Sequence, residues 1–226
     1  MSASEDIVLT PDPRLSEMCA PIEKIDDSVR KLAKHMLDVM YDADGCGLAA
    51  PQIGKLVRLV VIDVDYVPGD PSSRNPYVLI NPKIVTADGD PRLFSEGCLS
   101  FPGISVDIER PSHVIVHATD LDGDLLQYEA ENNLLAVCLQ HEIDHLNGVT
   151  MVDHLSLLER VKALHDCEAA ISGGGLSSFA VPDSFTNAES SGMVSLPLPT
   201  VSVSTDRKST RLNSSHTDIS RMPSSA

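Results

Sequence analysis

The sequence predicts an α+β fold in which antiparallel sheets pack around a central helix, and three observations lead there. Apolar residues recur at helical spacing in two separated segments, residues 26–42 and 132–147. Between them lie short runs rich in Val, Ile, Leu and Tyr, set apart by turn signals. No strand–helix–strand unit repeats along the chain, which argues against a doubly wound parallel sheet.

Taken in order, the first helix rests on Val29, Leu32, Met36, Val39 and Met40, with Asp26, Asp27 or Ser28 placed to cap its start. Gly45-Cys46-Gly47 then reads as a turn. Residues 59–62, Leu-Val-Val-Ile, form a buried strand, and residues 77–80 a second, with turns expected at Asn75-Pro76 and Asn81-Pro82. Residues 104–109, 113–119 and 125–129 read as short antiparallel strands, the last two joined by a hairpin at Asp122-Gly123-Asp124. The second helix, 132–147, ends at Gly148, and 156–166 predicts a third.

The organisation expected is therefore a single domain over residues 1–166. Residues 167–205 are rich in Ser, Gly, Ala, Thr and Pro without a sustained period, and read as a low-complexity, disordered tail. Residues 206–226 are of another kind. Asp206-Arg-Lys-Ser-Thr-Arg-Leu-Asn-Ser-Ser-His216 resembles the translation of a common sequencing-library adapter, as does the closing Ser-Arg-Met-Pro-Ser-Ser-Ala. This segment is set aside as an artefact.

Composition narrows the function classes. Of 226 residues, 42% are hydrophobic and 22% charged, which fits a soluble globular protein, and no stretch approaches the length of a membrane span. A net charge of −16 argues against nucleic-acid binding as a main activity. Five scattered cysteines (Cys19, Cys46, Cys98, Cys138, Cys167) do not make a disulfide framework; they point to reduced thiols, some available to a metal. The N-terminus lacks a secretory or transit signal, so a cytoplasmic location is expected.

The chemistry concentrates in His141-Glu142-Ile143-Asp144-His145. On a helix, His141 and His145 lie one turn apart on one face and can grip one metal ion. Glu142 stands beside the first ligand, where a carboxylate can take a proton from an attacking water. Two histidines leave a catalytic site one ligand short. His154 and His165 lie downstream, but neither falls in a recognisable motif. Cys98, upstream in Glu96-Gly97-Cys98-Leu99-Ser100, offers a thiolate and is the better candidate.

Three segments occur together and in order: residues 45–54 (Gly-Cys-Gly-Leu-Ala-Ala-Pro-Gln-Ile-Gly), 96–100 (Glu-Gly-Cys-Leu-Ser) and 140–146 (Gln-His-Glu-Ile-Asp-His-Leu). They resemble the three signature motifs of peptide deformylases, with Pro11-Asp12-Pro13-Arg14-Leu15 and Asn147-Gly148 adding to the likeness over roughly residues 6–160. The resemblance implies that Cys98, His141 and His145 ligate one divalent ion, commonly Fe(II), with Zn(II), Ni(II) or Co(II) as substitutes. It implies Glu142 as general base and then acid, and Gln52 with the Leu99 amide as donors to the developing oxyanion. Gly45 and Gly47 are expected to let main chain approach the substrate, and Cys46 and Cys138 to line the methionine pocket. Glu96 is expected to orient Gln52 or the Cys98 loop, or simply to support the structure. The substrate implied is a nascent N-formylmethionyl peptide, with transient ribosome association. Residues 155–166, however, carry only Arg160 and Lys162 as bases, where many bacterial relatives end in a basic helix.

Overall fold

Residues 6–173 are described by the structure, a computed structural model. Helix α1 spans Asp27–Asp42, and Asp26 caps it by accepting from the backbone N–H groups of Ser28 and Val29 at 2.9 and 3.4 Å. Five strands form one antiparallel sheet in the order β1-β2-β3-β6-β7 (Gly47–Ala49, Leu59–Ile62, Tyr77–Asp88, His113–Thr119, Leu125–Glu131). Strands β4 (Arg92–Gly97) and β5 (Ser105–Arg110) pair separately as a hairpin.

Helix α2, Leu134–Leu146, lies across the larger sheet and touches all five of its strands. Val60 and Ile62 of β2 pack beneath it with Leu79, Val116, Leu139 and Ile143. Leu59 and Val61 face the opposite way, against Met36 and Met40 of α1. Strand β2 is thus covered on both sides, which is why it reads as an unbroken apolar run rather than an alternating one.

Eleven of the thirteen residues of α2 are buried, so the helix is a core element surrounded by protein. Asn133 caps its start by accepting from the Ala136 N–H at 2.9 Å. At its other end Arg58 donates to the Leu146 carbonyl (3.3 Å) and to the Asn147 side chain (2.9 Å), and the Cys19 N–H donates to the same carbonyl at 2.9 Å. A guanidinium there also complements the helix dipole. Gly148 follows with φ +71°, and a Cβ on it would press within 2.6 Å of the Ser16 carbonyl. Both ends of the helix that carries the histidines are therefore fixed.

Four features differ from expectation. Asn81-Pro82 does not end a strand but sits inside β3, as an irregularity in the pairing with β6. Pro82 has no N–H to give the ladder, while Asn81 adopts φ +52° and ties its side chain to both backbone groups of Ile22 at 2.8 Å. The Gly45-Cys46-Gly47 turn leads straight into the short strand β1. Strand β4 was not expected, because Arg-Leu-Phe-Ser-Glu-Gly lacks an apolar run. Finally α3, Leu157–Ser172, continues past the expected domain end at 166. Residues 167–172, read as the start of the tail, are helical because Cys167 and Ile171 extend the apolar stripe onto Phe101, Ile108 and Met151. The rest of the expected tail and the adapter-like segment, residues 174–226, lie outside the described residues.

Candidate metal centre

Three chain segments converge at one end of the sheet. Helix α2 delivers His141, Glu142 and His145; the turn after β4 delivers Cys98; a 3₁₀ turn after β1, Ala50–Ile53, delivers Gln52. Among the described residues, the ligand atoms of Cys98, His141 and His145 all lie within 4.8 Å of one another, and the three side chains are buried. In a four-coordinate site with metal–nitrogen and metal–sulfur bonds of about 2.0–2.3 Å, neighbouring ligand atoms stand roughly 3.4–3.6 Å apart, so this set fits one ion with little movement. The Cys98 Sγ is already 3.2 Å from His145 Nε2. The downstream alternatives fall elsewhere: His154 bonds Asp144, and His165 is exposed beside Asp166.

The two histidines are held differently. His141 Nδ1 meets Glu96 Oε2 at 2.9 Å, which fixes its ring and turns Nε2 toward Cys98. Glu96 is in turn gripped by Arg110 through two hydrogen bonds, the Nη2–Oε2 one at 2.9 Å. Arg110 reaches on to Asp144 at 2.9 Å, and Asp144 accepts from His154 at 2.8 Å. Burial alone would raise the pKa of Glu96, but hydrogen bonds from His141 and Arg110 outweigh it and hold the group ionised. For His141, burial disfavours the charge, yet Cys98 and Glu96 outweigh it and push the pKa well up. Groups that favour a proton there favour a metal cation equally. His145 has no such support: among the described residues its buried Nδ1 finds no hydrogen-bond partner, and burial and the nearby His141 push its pKa well below the usual value.

Glu142 faces the pocket beside the ligands, and its Oε2 is also buried without a partner. Burial raises its pKa to about 7, where a carboxyl can both take and return a proton at neutral pH. The Gln52 carboxamide is oriented by the Ala49 N–H, which donates to Oε1 at 2.8 Å. Its Nε2 therefore points inward, 3.4 Å from Cys98 Sγ and 3.3 Å from Ser100 Oγ. Leu99 follows Cys98 in a turn closed by the Phe101 N–H on the Cys98 carbonyl at 2.9 Å, and it lines the same pocket.

Gly45, Cys46, Gly47 and Cys138 line the pocket as well, with Leu134 and Val137 as an apolar wall. Gly47 has a specific reason to be glycine. A Cβ there would collide with Glu142 Oε1 and come within 2.8 Å of Cys138 Sγ. Each of the sequence-predicted site residues is thus brought to one place. Of the two roles left open for Glu96, the hydrogen bond to His141 favours the supporting one. Arg110 was missed, although it left a trace: it occupies an inward position of β5, two after buried Ile108, where alternation calls for an apolar residue.

A buried cysteine–histidine–histidine set, an adjacent carboxyl and an amide donor on an α+β scaffold are the parts of a metal-dependent hydrolase. Comparison with known proteins narrows this further. The family model for polypeptide deformylase matches residues 4–161. The peptide deformylase of Rhodopseudomonas palustris (strain TIE-1) is 44% identical over 172 residues, 76% of this chain and 97% of that one. That of Hydrogenovibrio crunogenus is 46% identical over 159 residues, 70% and 90% of the two chains. Among solved structures, a peptide deformylase from Legionella pneumophila aligns with a TM-score of 0.68 at 43% identity, covering 74% of this chain and 95% of that one. One from Synechococcus elongatus, in complex with actinonin, gives 0.64 at 41% identity, covering 77% and 88%. The chain belongs to the peptide deformylase family.

Proposed function

We propose that Cys98, His141 and His145 hold one divalent ion and that Glu142, Gln52 and the Leu99 amide perform deformylation around it. The reaction is hydrolysis of the formyl amide on the N-terminal methionine of newly made polypeptides, releasing formate and a free amine. What carries the assignment of roles is that three buried ligand atoms stand together beside Glu142, whose Oε2 has no hydrogen-bond partner among the described residues, and an inward-pointing Gln52 amide. Once bound, the ion supplies Lewis acidity to the attacking water and the formyl carbonyl. A thiolate with two imidazoles accepts several first-row metals; Fe(II) is our choice for the resident ion, with Zn(II), Ni(II) or Co(II) able to replace it.

Glu142 takes a proton from the attacking water and later gives it to the departing amine, a task suited to a carboxyl with a pKa of about 7. Negative charge grows on the formyl oxygen as water adds. Gln52 Nε2 and the Leu99 N–H donate to it without bringing a charge of their own. The methionine side chain enters the wall formed by Cys46, Leu134, Val137 and Cys138, while glycines 45 and 47 let main chain approach the peptide. Nascent chains are the partner, met in transient contact with the ribosome; in a bacterium the site of action is the cytoplasm.

The test compares formate release from formyl-Met-Ala-Ser with cleavage of unformylated peptides. Formate release without internal cleavage is the expected result. Internal cleavage alone would make the site that of a peptidase.

A further inference from the structure

Two thiols in the pocket have no part in the chemistry described above. Cys46 immediately precedes β1, and Cys138 sits on α2 one turn before the metal-facing residues. Although 92 positions apart in sequence, their sulfurs stand 3.8 Å from each other, and Cys138 Sγ is 3.7 Å from the Cys46 carbonyl oxygen. Neither belongs to the ligand set, whose thiol is Cys98. Both line the open pocket, so a small solute that reaches Glu142 reaches them.

A disulfide bond is about 2.05 Å long, so the two sulfurs need to close by roughly 1.8 Å. Helix α2 is fixed at both ends, so the movement falls on Cys46, which is flanked by Gly45 and Gly47. Its main chain is held by the Gly45 N–H on the Met40 carbonyl (2.9 Å) and the Asp63 N–H on the Cys46 carbonyl (2.8 Å), which leaves the closure to side-chain rotation and small main-chain shifts. We propose that Cys46 and Cys138 are a covalent modification site: a peroxide joins them in a reversible disulfide that ties β1 to α2 across the pocket wall. The chemistry balances in two steps. One sulfur attacks a peroxide oxygen; the S–O bond forms, the O–O bond breaks, and water leaves a sulfenic acid behind. The second sulfur attacks the first; the S–S bond forms, the S–O bond breaks, and a second water departs. In sum, two thiols and one hydrogen peroxide give one disulfide and two waters.

The bond would lie against Gly47, whose absent Cβ would sit 2.8 Å from Cys138 Sγ, and beside the Glu142 carboxylate. It removes both thiols from the wall that receives the methionine side chain. That consequence for turnover rests on the function proposed above; formation of the bond does not.

The experiment treats the metal-loaded, full-length chain with hydrogen peroxide, alkylates the remaining thiols, and maps the digested peptides by mass. The expected result is a Cys46 peptide linked to a Cys138 peptide, two hydrogens lighter than the separate pair and released by dithiothreitol. Formate release, measured in parallel, should fall with the linked fraction and return on reduction. A Cys46→Val chain should give no such linked peptide. The proposal is overturned if both cysteines stay open to alkylation while Cys98 is oxidised, or if the link joins Cys98 instead. A Cys46–Cys138 link that leaves turnover unchanged overturns its effect on the pocket. An untreated chain that releases no formate speaks against the proposed function, and the peptide map still reads the bond.

Discussion

Two groups of polar side chains at the metal centre are built on opposite rules. On the side of Glu96 every polar group is paired: His141, Glu96, Arg110, Asp144 and His154 form one continuous chain of hydrogen bonds. By contrast, Glu142 Oε2 and His145 Nδ1 are buried with no hydrogen-bond partner among the described residues. A buried unpaired polar group costs about 1–3 kcal/mol, and two of them within one helix turn are not an economy of folding. The saturated side fixes a ligand in place. The unsaturated side leaves a carboxylate free to meet what enters the pocket.

The comparison breaks most visibly at Glu142. Glu142→Gln keeps the shape but cannot take a proton, and turnover should fall by about 10²–10⁴ with metal content unchanged, read by formate release beside metal analysis. Gln52→Leu keeps the volume and removes the donor; a loss of about 10²–10³ in kcat is expected, with metal still bound. On the saturated side the effect moves from rate to affinity. Glu96→Gln loosens His141, and metal affinity should weaken by about 10–100-fold in a competition titration with a chelator.

A control for these buried pairs is His113 on β6, bonded to Asp88 at 2.5 Å and Glu129 at 3.2 Å and not among the residues lining the pocket. Those hydrogen bonds raise its pKa above the ordinary 6.5. The stability it adds is therefore complete below the unfolded value and is lost as pH rises through the folded one. His113→Gln should lower the melting temperature slightly at pH 6 and leave it unchanged above the folded pKa, with formate release unaffected at either pH. A variant that melts with the same deficit at high pH would show the contact to be packing rather than charge.

The grouping of the candidate site was legible in the sequence, the His-Glu-His spacing and Cys98 from residue type and Gln52 from its place in a motif resembling the family's. His141, Glu142 and His145 share one helical turn, Cys98 follows its own glycine, and Gln52 closes a Pro-Gln-Ile-Gly turn. Strand β2 was legible too, since burial on both faces leaves an uninterrupted apolar run. Strand β4 was not. It pairs only with β5 in a two-stranded sheet, and its one buried residue is the polar Glu96, so it carries no apolar alternation. The partner of His141 was likewise hidden. Glu96 and Arg110 are 14 residues apart on paired strands, but Glu96 stands opposite Val106 and Arg110 opposite Arg92, so they meet through their long side chains, which sequence spacing does not encode. The end of α3 was misplaced because Ser and Gly composition was weighed above Cys167 and Ile171, whose burial keeps the helix going to Ser172.

The most direct test of the whole account is Cys98, the ligand that lies outside the two-histidine motif. Protein purified without oxygen, wild type and Cys98→Ser, is analysed for metal and assayed for formate release from formyl-Met-Ala-Ser on the same sample. The wild type should hold one divalent ion per chain and release formate. Cys98→Ser should lose or exchange its ion and lose turnover with it. A serine variant that keeps the original ion and full activity would contradict the three-ligand centre.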